Sequence, residues 1–202
     1  MTEDEAIAWC RERFGQDATA RLDRFRAMVL SENERQNLIS PASCDFIWNR
    51  HIVDSAQLVT HMPAATRTWF DIGSGPGFPG LVVAIVTDAH VSLVEPRARR
   101  VEFLHTVVAD LALSNVTVEK SKAETTSGRA DVISARAVAS IPDLVAITSH
   151  LRHSRTRMIL PRGRNGASEV ALLPAKWRSM FHVEHSVTDP ASMIVIADGV
   201  KD

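Results

Sequence analysis

The feature that most constrains the fold is a cluster of glycines, because residues 73–80 hold four of the nine glycines in the chain. A largely apolar segment precedes the cluster at residues 69–72, and an apolar run follows it at residues 81–86. Glycine is favoured where the backbone adopts positive φ or lies close against a ligand. The pattern therefore predicts a strand, a tight loop and a helix, an arrangement typical of a nucleotide-type pocket.

The loop is compatible with two kinds of cofactor. The G-x-G-x-x-G fingerprint of dinucleotide binding is satisfied by Gly75, Gly77 and Gly80, and Glu95 follows Gly75 by 20 residues. A dinucleotide places its pyrophosphate on free backbone N–H groups at a helix N-terminus. Pro76 and Pro79 have no N–H group, so two donors are missing where a pyrophosphate needs them.

A second pattern starts at Asp71 and continues through Gly73 and Gly75. It places a carboxylate at the carboxyl end of a strand, where an ammonium group could be received. S-adenosylmethionine carries an ammonium and a sulfonium group and no phosphate, so it suits this loop better than a dinucleotide does. The predicted cofactor-binding residues of the loop are Asp71, Gly73, Ser74, Gly75, Gly77 and Phe78.

Glu95 is the predicted ligand of the cofactor ribose. It ends a short β-branched run at residues 91–95. In doubly wound sheets, an acid at the end of the second strand binds ribose hydroxyls.

Composition and charge limit the possible partners. The chain has 202 residues, is 45% hydrophobic and carries a formal net charge of −1, which predicts one globular domain with a short appendage. Bulk electrostatics cannot coat such a chain with nucleic acid, so any nucleic-acid contact must be local. The first residues are acidic and no long apolar span is present, so we expect a cytoplasmic protein with no membrane contact.

The cysteines and paired histidines predict no metal site. Cys10 and Cys44 match no metal or redox spacing, and we expect two reduced thiols. His182 and His185 are three residues apart on a predicted strand, so their side chains face opposite sides.

The N-terminal part is predicted to be helical. Apolar residues recur every three or four positions over residues 3–30, which is typical of amphipathic helices. Residues 37–41 break the pattern, and a second helix is expected from Ser43 or Asp45 to residue 58. We therefore divide the chain into a helical extension at residues 1–62 and a catalytic domain at residues 63–202.

Two pairs on the second of these helices have i,i+4 spacing, Arg50 with Asp54 and His51 with Ser55. Spacing alone favours a surface salt bridge and an ordinary helix histidine.

The remainder alternates strands and helices. Strands are predicted at residues 68–72, 91–95, 115–119, 131–135 and 157–160, helices at 80–86, 97–113, 142–151 and 170–177, and a closing hairpin at 181–185 and 193–197. This alternation predicts an α/β fold, in which helices cover both faces of a parallel sheet.

Open α/β sheets bind ligands at the carboxyl ends of their strands. Two acids lie there on the cofactor side, Asp71 and Glu95. The basic residues that follow the other strands are Lys122, Arg136, Arg162 and Arg164. An acidic half suits a cationic cofactor and a basic half suits a phosphate-bearing substrate. Phe78 is either a base-stacking aromatic or a core residue beneath the loop.

Seven motifs together resemble one family. They are NLIS at residues 37–40, RHIVDS at 50–55, DIGSGPGFPG at 71–80, EP at 95–96, RRVEFL at 99–104, SARA at 134–137 and PRG at 161–163. In this order they are similar to bacterial small-subunit ribosomal RNA methyltransferase G, formerly called glucose-inhibited division protein B. The match spans nearly the whole chain. Family members often have lysine at the position of Arg162 and arginine at the position of Lys122.

The resemblance implies a reaction and a fold. The reaction is methylation of guanine N7 in the 530 loop of 16S ribosomal RNA with S-adenosylmethionine. The fold is a class I, Rossmann-like methyltransferase, with a mostly parallel seven-stranded sheet whose last strand is antiparallel and with an N-terminal helical extension. The expected partner is 16S ribosomal RNA or the small ribosomal subunit, and a monomer is expected.

The resemblance also implies roles for individual residues. Arg50, His51 and Arg136 become candidate catalytic residues, and Arg136 is placed at the target guanosine or its phosphate as well as beside the cofactor. Ala123 and Glu124 are expected at the adenine edge. The expected RNA-backbone ligands are Arg100, Lys122, Arg162 and Arg164.

Two other functions remain open from the sequence. The G-x-G-x-x-G match allows an NAD(P)-dependent dehydrogenase of the Rossmann class. A non-enzymatic RNA-binding or ribosome-assembly module would use the pocket only as a scaffold.

Overall fold

The computed structural model describes residues 1–200 and contains one seven-stranded sheet in the order β3-β2-β1-β4-β5-β7-β6. The strands are β1 (Thr68–Ile72), β2 (His90–Val94), β3 (Val116–Glu119), β4 (Val132–Ala135), β5 (Arg157–Arg162), β6 (Phe181–His185) and β7 (Met193–Asp198). The first five are parallel to one another, whereas β7 is antiparallel to both β5 and β6. The predicted mostly parallel sheet with an antiparallel last strand is confirmed.

The topology fixes where a ligand can bind. The chain proceeds outward from β1 through β2 to β3, then returns to place β4 on the other side of β1. Such a reversal of strand order opens a crevice at the carboxyl ends of the strands. The glycine-rich loop follows β1 at this position.

The first helix that flanks the sheet has the predicted bounds, and the later ones are shorter than predicted. They are α4 (Gly80–Val86), α5 (Ala98–Asp110), α6 (Ile141–Ile147), α7 (Gly166–Ala171) and α8 (Ala175–Arg178). The helix predicted over residues 170–177 is divided between α7 and α8, because Pro174 stands at the start of α8 and has no N–H group with which to continue α7.

The N-terminal extension begins with α1 (Glu3–Asn33), which is capped by reciprocal hydrogen bonds between Thr2 and Glu5. Gly15 interrupts it at φ 84°, so α1 is bent. Leu22 and Phe25 on its buried face belong to the same apolar core as residues of β1 and α4. The extension therefore shares a core with the sheet and packs on α4 and α5, while the boundary at residue 62 stays a prediction.

The helix predicted over residues 43–58 is irregular. It consists of α2 (Pro41–Cys44), a π-helical turn (Trp48–Val53), α3 (Asp54–Ala56) and a 3₁₀ turn (Gln57–His61). π-Helical turns are rare and are often found at functional sites. This one and the adjoining α3 together carry the Arg-His-x-x-Asp-Ser motif.

The sequence also predicted no membrane contact and two reduced thiols, and the structure bears on both predictions. Within residues 1–200, no helix is long and apolar enough to cross a membrane. Cys10 and Cys44 are free, and burial raises the pKa of the Cys10 thiol to about 12. A thiol with such a pKa stays protonated and unreactive at neutral pH.

Candidate cofactor and substrate site

The loop after β1 needs its glycines for backbone conformation. Gly73, Gly75 and Gly77 have φ values of 67°, 56° and 102°, which side chains strongly disfavour. The loop lies against the end of β2, since Gly73 and Ser74 both donate to the carbonyl of Val94. The predicted strand, loop and helix are confirmed, with α4 beginning at Gly80.

The loop has few N–H groups left for a phosphate. Gly75 donates to Glu95 Oε2 at 2.9 Å, and Gly77 donates to the carbonyl of Ser74 at 2.8 Å. The first N–H of α4, that of Gly80, donates to Asp71 Oδ2 at 3.1 Å. Since two other loop positions are prolines, a pyrophosphate would find its usual donors absent or already occupied.

Asp71 holds the loop from beneath. Its side chain is fully buried, and Oδ1 accepts a 2.7 Å hydrogen bond from Ser134 Oγ while Oδ2 accepts from Gly80. A Cβ on Gly80 would lie 2.7 Å from Oδ2, so only glycine fits there. The sequence predicted that Asp71 receives the ammonium group of the cofactor directly. This geometry does not support that contact, because Asp71 is absent from the walls of the adjacent cavity.

Burial also makes Asp71 a pH-dependent element of stability. It raises the pKa of Asp71 to about 6, while hydrogen bonds from Ser134, Ser74 and Gly80 oppose the shift. Between about pH 4 and pH 6 the folded protein therefore binds a proton that the unfolded chain has released, and this contribution to stability declines as the pH rises through that window.

We expect Asp71→Asn to remove this dependence. The free energy of unfolding of the wild type, minus that of Asp71→Asn, should fall by ~3 kcal/mol between pH 4 and pH 7. Urea unfolding at a series of pH values measures it. A difference that stays constant across the series would contradict the assignment.

Glu95 fits the predicted ribose site. Its carboxylate is only 3% exposed, accepts from the N–H groups of Gly75 and Arg97, and lies 3.9 Å from Arg100 Nη1. A carboxylate oxygen can accept more than one hydrogen bond. Glu95 could thus hold the loop and still accept from a hydroxyl group.

A cavity of about 380 Å³ opens over this loop, within the usual size range of small-molecule sites. Its walls are Leu38, Gly73, Ser74, Gly75, Pro76, Phe78, Glu95, Pro96, Arg97, Arg100, Arg136, Ala137 and Val138. We call it the cofactor cavity. Its size, its buried carboxylate and the few free backbone N–H groups of its loop fit S-adenosylmethionine better than a dinucleotide.

Not every predicted cofactor residue lines this cavity. Gly77 belongs to the loop but not to the cavity wall, and a Cβ there would meet Leu81. Ala123 is packed in the core and Glu124 is exposed, so neither forms a wall of the cavity. Conversely, sequence reasoning missed Leu38 and Val138, whose apolar side chains carry no chemical signal of binding.

Arg136 is the centre of the charged part of the site. Its Nη2 lies 2.9 Å from His51 Nδ1, its Nη1 lies 3.5 Å from Asp54 Oδ2, and its guanidinium lies 5.4 Å from the centre of the Phe78 ring. The next residue, Ala137, has φ 56°, an unfavourable conformation of the kind that recurs at functional sites. The sequence contained no indication of this conformation, because alanine does not favour positive φ.

His51 orients Arg136. Its ring stacks on Phe78 with the ring centres 5.0 Å apart, and burial, then Arg136 and Arg50, lower its pKa to about 3. A neutral imidazole accepts a hydrogen bond through one nitrogen, so Arg136 donates to Nδ1. The pocket-side position that the resemblance implied for His51 agrees with this geometry.

Phe78 is buried beneath the loop, 5.0 Å from Phe25 in α1. Of the two possibilities left open by the sequence, this burial agrees with the core position, and stacking of a base on the ring stays a prediction. The ring supports His51 and Arg136 from the apolar side.

The surface salt bridge expected from spacing between Arg50 and Asp54 is wrong. Asp54 turns inward to Arg136, since this partly buried cation faces the inner side of α3. Arg50 is exposed near Phe46, and only its carbonyl contacts Arg136, at 3.4 Å. The carbonyl of Arg50, rather than its guanidinium, is therefore part of the charged cluster.

The predicted RNA ligands differ in accessibility. Arg100 forms a wall of the cofactor cavity, whereas Lys122 and Arg164 are exposed outside it. Arg162 is only 9% exposed and donates to the carbonyl of Ala139 at 2.9 Å. Its Nη2 is buried without a hydrogen-bond partner within residues 1–200, which suits an anion entering from the adjacent cavity.

Two further cavities continue beyond Arg136. The inner one, of about 300 Å³, is lined by Asp54, Arg136, Ala137, Pro161, Arg162, Gly163, Glu169 and Ser192. The outer one, of about 460 Å³, is lined by Ser43, Asn49, Arg50, His51, Asp54, Thr188, Asp189, Pro190 and Ser192. Since Arg136 is shared with the cofactor cavity and Asp54 with the outer one, the three cavities form successive parts of one cleft.

A larger groove of about 620 Å³ lies elsewhere, between α1 and α5. It is open and lined by charged side chains of both signs, including Arg24, Glu32 and Glu102. The glycine-rich loop does not reach it. Chemistry rather than volume therefore selects the cleft at the ends of the strands.

A family model and individual related proteins match this chain under the same name. The family model described as rRNA small subunit methyltransferase G matches residues 18–192. A protein named ribosomal RNA small subunit methyltransferase G from Sphingopyxis alaskensis is 44% identical over 98% of this chain and 88% of its own length. One of the same name from Rhizorhabdus wittichii is 41% identical over 100% of this chain and 94% of its own length.

Solved structures show the same fold at low sequence identity. A SAM-dependent methyltransferase from Aquifex aeolicus superposes with a TM-score of 0.56 at 13% identity, covering 87% of this chain and 98% of that one. A precorrin-6Y C5,15-methyltransferase from Geobacter metallireducens gives a TM-score of 0.56 at 11% identity, covering 81% of this chain and 91% of that one. These two likenesses concern the fold alone.

Proposed function

Because this chain belongs to the rRNA small subunit methyltransferase G family, we propose that it methylates N7 of a guanine in the 530 loop of 16S ribosomal RNA. The observation that carries the proposal is the position of Arg136, which forms a wall of both the cofactor cavity and the inner cavity. A base in the inner cavity would lie beside a guanidinium and next to the cofactor.

The reaction places modest chemical demands on the residues. When bound, S-adenosylmethionine supplies a methyl group on a sulfonium centre. Guanine N7 carries a lone pair and no proton, so no side chain needs to act as a general base. The carbon–sulfur bond breaks as the N7–carbon bond forms, and the positive charge moves from sulfur to the base. Catalysis then depends mainly on orientation, an effect that can be worth ~7 to 11 kcal/mol.

The residues divide this work between them. Glu95 accepts from the ribose hydroxyls of the cofactor, and Arg136 donates to guanine O6. His51 fixes the orientation of Arg136. The RNA backbone is held by Arg100, Lys122, Arg162 and Arg164. N7 must be exposed by unstacking or by an open groove, so a loop is a better substrate than a duplex.

We also propose a compartment, an oligomeric state and a partner for the protein. It acts in the cytoplasm as a monomer, on 16S ribosomal RNA or the assembled small subunit. Sedimentation velocity of the purified protein, with and without small subunits, tests both the oligomeric state and the partner.

The cofactor is tested by thermal unfolding with each candidate. S-adenosylmethionine at 100 times its dissociation constant should stabilise the folded protein by ~2.7 kcal/mol, whereas NAD and NADP should not shift the melting temperature. Transfer of a tritiated methyl group to 16S ribosomal RNA, mapped by mass spectrometry to one 7-methylguanosine, tests the reaction. Stabilisation by NAD alone would favour a dehydrogenase, and cofactor binding without methyl transfer would favour an assembly module.

A further inference from the structure

The charged groups of the cleft are arranged in a defined order. Arg136 lines the cofactor cavity and the inner cavity, whereas Asp54 lines the inner and outer cavities and is absent from the walls of the cofactor cavity. Proceeding away from the cofactor, a ligand therefore meets first a guanidinium and then a carboxylate. In hydrogen-bonding terms, a donor is followed by an acceptor.

Asp54 is firmly oriented toward this cleft. Its Oδ1 accepts from Gln57 Nε2 at 3.0 Å and from Thr188 Oγ1 at 3.4 Å. Gln57 is itself buried and fixed by Ser186 and by the N–H of Val187. These contacts anchor one carboxylate oxygen to the turn between β6 and β7.

The second oxygen of Asp54 is less fully used. Oδ2 lies 3.5 Å from Arg136 Nη1, at the limit of a hydrogen bond, and the Asp54 side chain remains 19% exposed. An ionised carboxylate only accepts hydrogen bonds and has about four acceptor positions. Oδ2 therefore has capacity for a donor that enters the inner cavity.

The edge of guanine presents its polar groups in the matching order. N7 and O6 are acceptors, and they are followed around the ring by the N1–H and 2-amino donors. With N7 at the cofactor and O6 at Arg136, the two donors reach the position of Asp54. We propose that Asp54 accepts hydrogen bonds from N1–H and the 2-amino group of the target base, and so selects guanine; this rests on the function proposed above.

The same arrangement disfavours adenine. Adenine would present an amino group to the donors of Arg136 and an unprotonated N1 to the carboxylate of Asp54. Both contacts would be repulsive, and such mismatches are an effective source of specificity. A carboxylate beside the ring also stabilises the positive charge that guanine acquires on methylation.

Inosine, which lacks only the 2-amino group, tests the proposal directly. With 16S ribosomal RNA carrying guanosine or inosine at the target position, the wild type should have a kcat/KM about 10- to 100-fold higher for guanosine. Asp54→Asn should reduce the rate on guanosine and bring this ratio close to 1. If Asp54 served only to position Arg136, both substrates would lose rate equally and the ratio would not change.

Asp198→Asn is the matched control. Asp198 is also paired with an arginine, Arg157 at 2.6 Å, but at the opposite end of β5 from the cleft. It should keep the wild-type ratio. Melting temperature and S-adenosylmethionine affinity of each variant report whether the fold and the cofactor cavity are intact.

The possible outcomes distinguish a failure of the role of Asp54 from a failure of the proposed methyl transfer. Equal wild-type rates on guanosine and inosine, a comparison that needs no variant, would overturn the role of Asp54. An unchanged ratio in Asp54→Asn would do the same. If the wild type methylates neither RNA although it binds S-adenosylmethionine, the proposed function itself fails.

Discussion

Arg136→Ala is expected to lower kcat/KM for methylation of 16S ribosomal RNA by about 100- to 1,000-fold. The substitution removes the guanidinium that lies between the cofactor cavity and the inner cavity. Removing a donor that is oriented in advance toward a reacting group typically has an effect of this size. Methyl transfer under single-turnover conditions measures it, because product release then does not contribute.

Two further variants make the Arg136 experiment specific. Arg136→Lys keeps a charge near Asp54 but cannot also donate to His51 through a planar fork, so it should fold well and lose most of the rate. Arg129→Ala removes an exposed arginine beyond the opposite end of β4 and should retain wild-type turnover. Full activity in both Arg136 variants would exclude this residue from the reaction.

Phe78→Ala should lower the free energy of unfolding by ~3 to 5 kcal/mol, the usual cost of deleting a buried aromatic ring. The ring packs on Phe25 of the N-terminal extension and under His51 and Arg136. Its loss therefore leaves a cavity where the extension, the loop and the charged cluster meet. Urea unfolding followed by circular dichroism measures the change.

Phe46 provides the comparison for Phe78. It is 50% exposed, so Phe46→Ala should change the free energy of unfolding by no more than ~0.5 kcal/mol. Phe78→Ala should also lose methyl transfer under conditions where it is still folded, because Arg136 is no longer supported. A Phe78 variant as stable and active as the Phe46 variant would show that the extension and the loop are not coupled through this ring.

The elements around the cofactor loop could be predicted because their signals are local. Glycine at positions 73, 75 and 77 reflects backbone conformations that other residues avoid. The prolines at 76 and 79 predicted a loop without phosphate-binding donors, and the hydrogen bonds of Gly75, Gly77 and Gly80 agree with that prediction. Strand positions followed from apolar runs bounded by turn residues.

The contacts of the acids could not be predicted in the same way. The motif predicts that Asp71 is a cofactor ligand, yet its two oxygens accept hydrogen bonds within the protein, from Ser134 and Gly80. The i,i+4 spacing predicts a salt bridge between Asp54 and Arg50, but Asp54 pairs with Arg136, 82 positions further along the chain. Ala123 and Glu124 also follow the expected strand without reaching the cofactor cavity.

The sequence by itself determined the alternation of strands and helices, the conformation of the loop and its preference for a cofactor without phosphate, since each depends on residues close together in the chain. Only the tertiary structure decided which charges meet. The π-helical turn, α3 and the end of β4 bring His51, Asp54 and Arg136 together, and burial then makes His51 neutral and leaves Asp54 facing the cleft. Desolvation and pairing depend on what surrounds a group in space, and spacing along the chain does not contain that information.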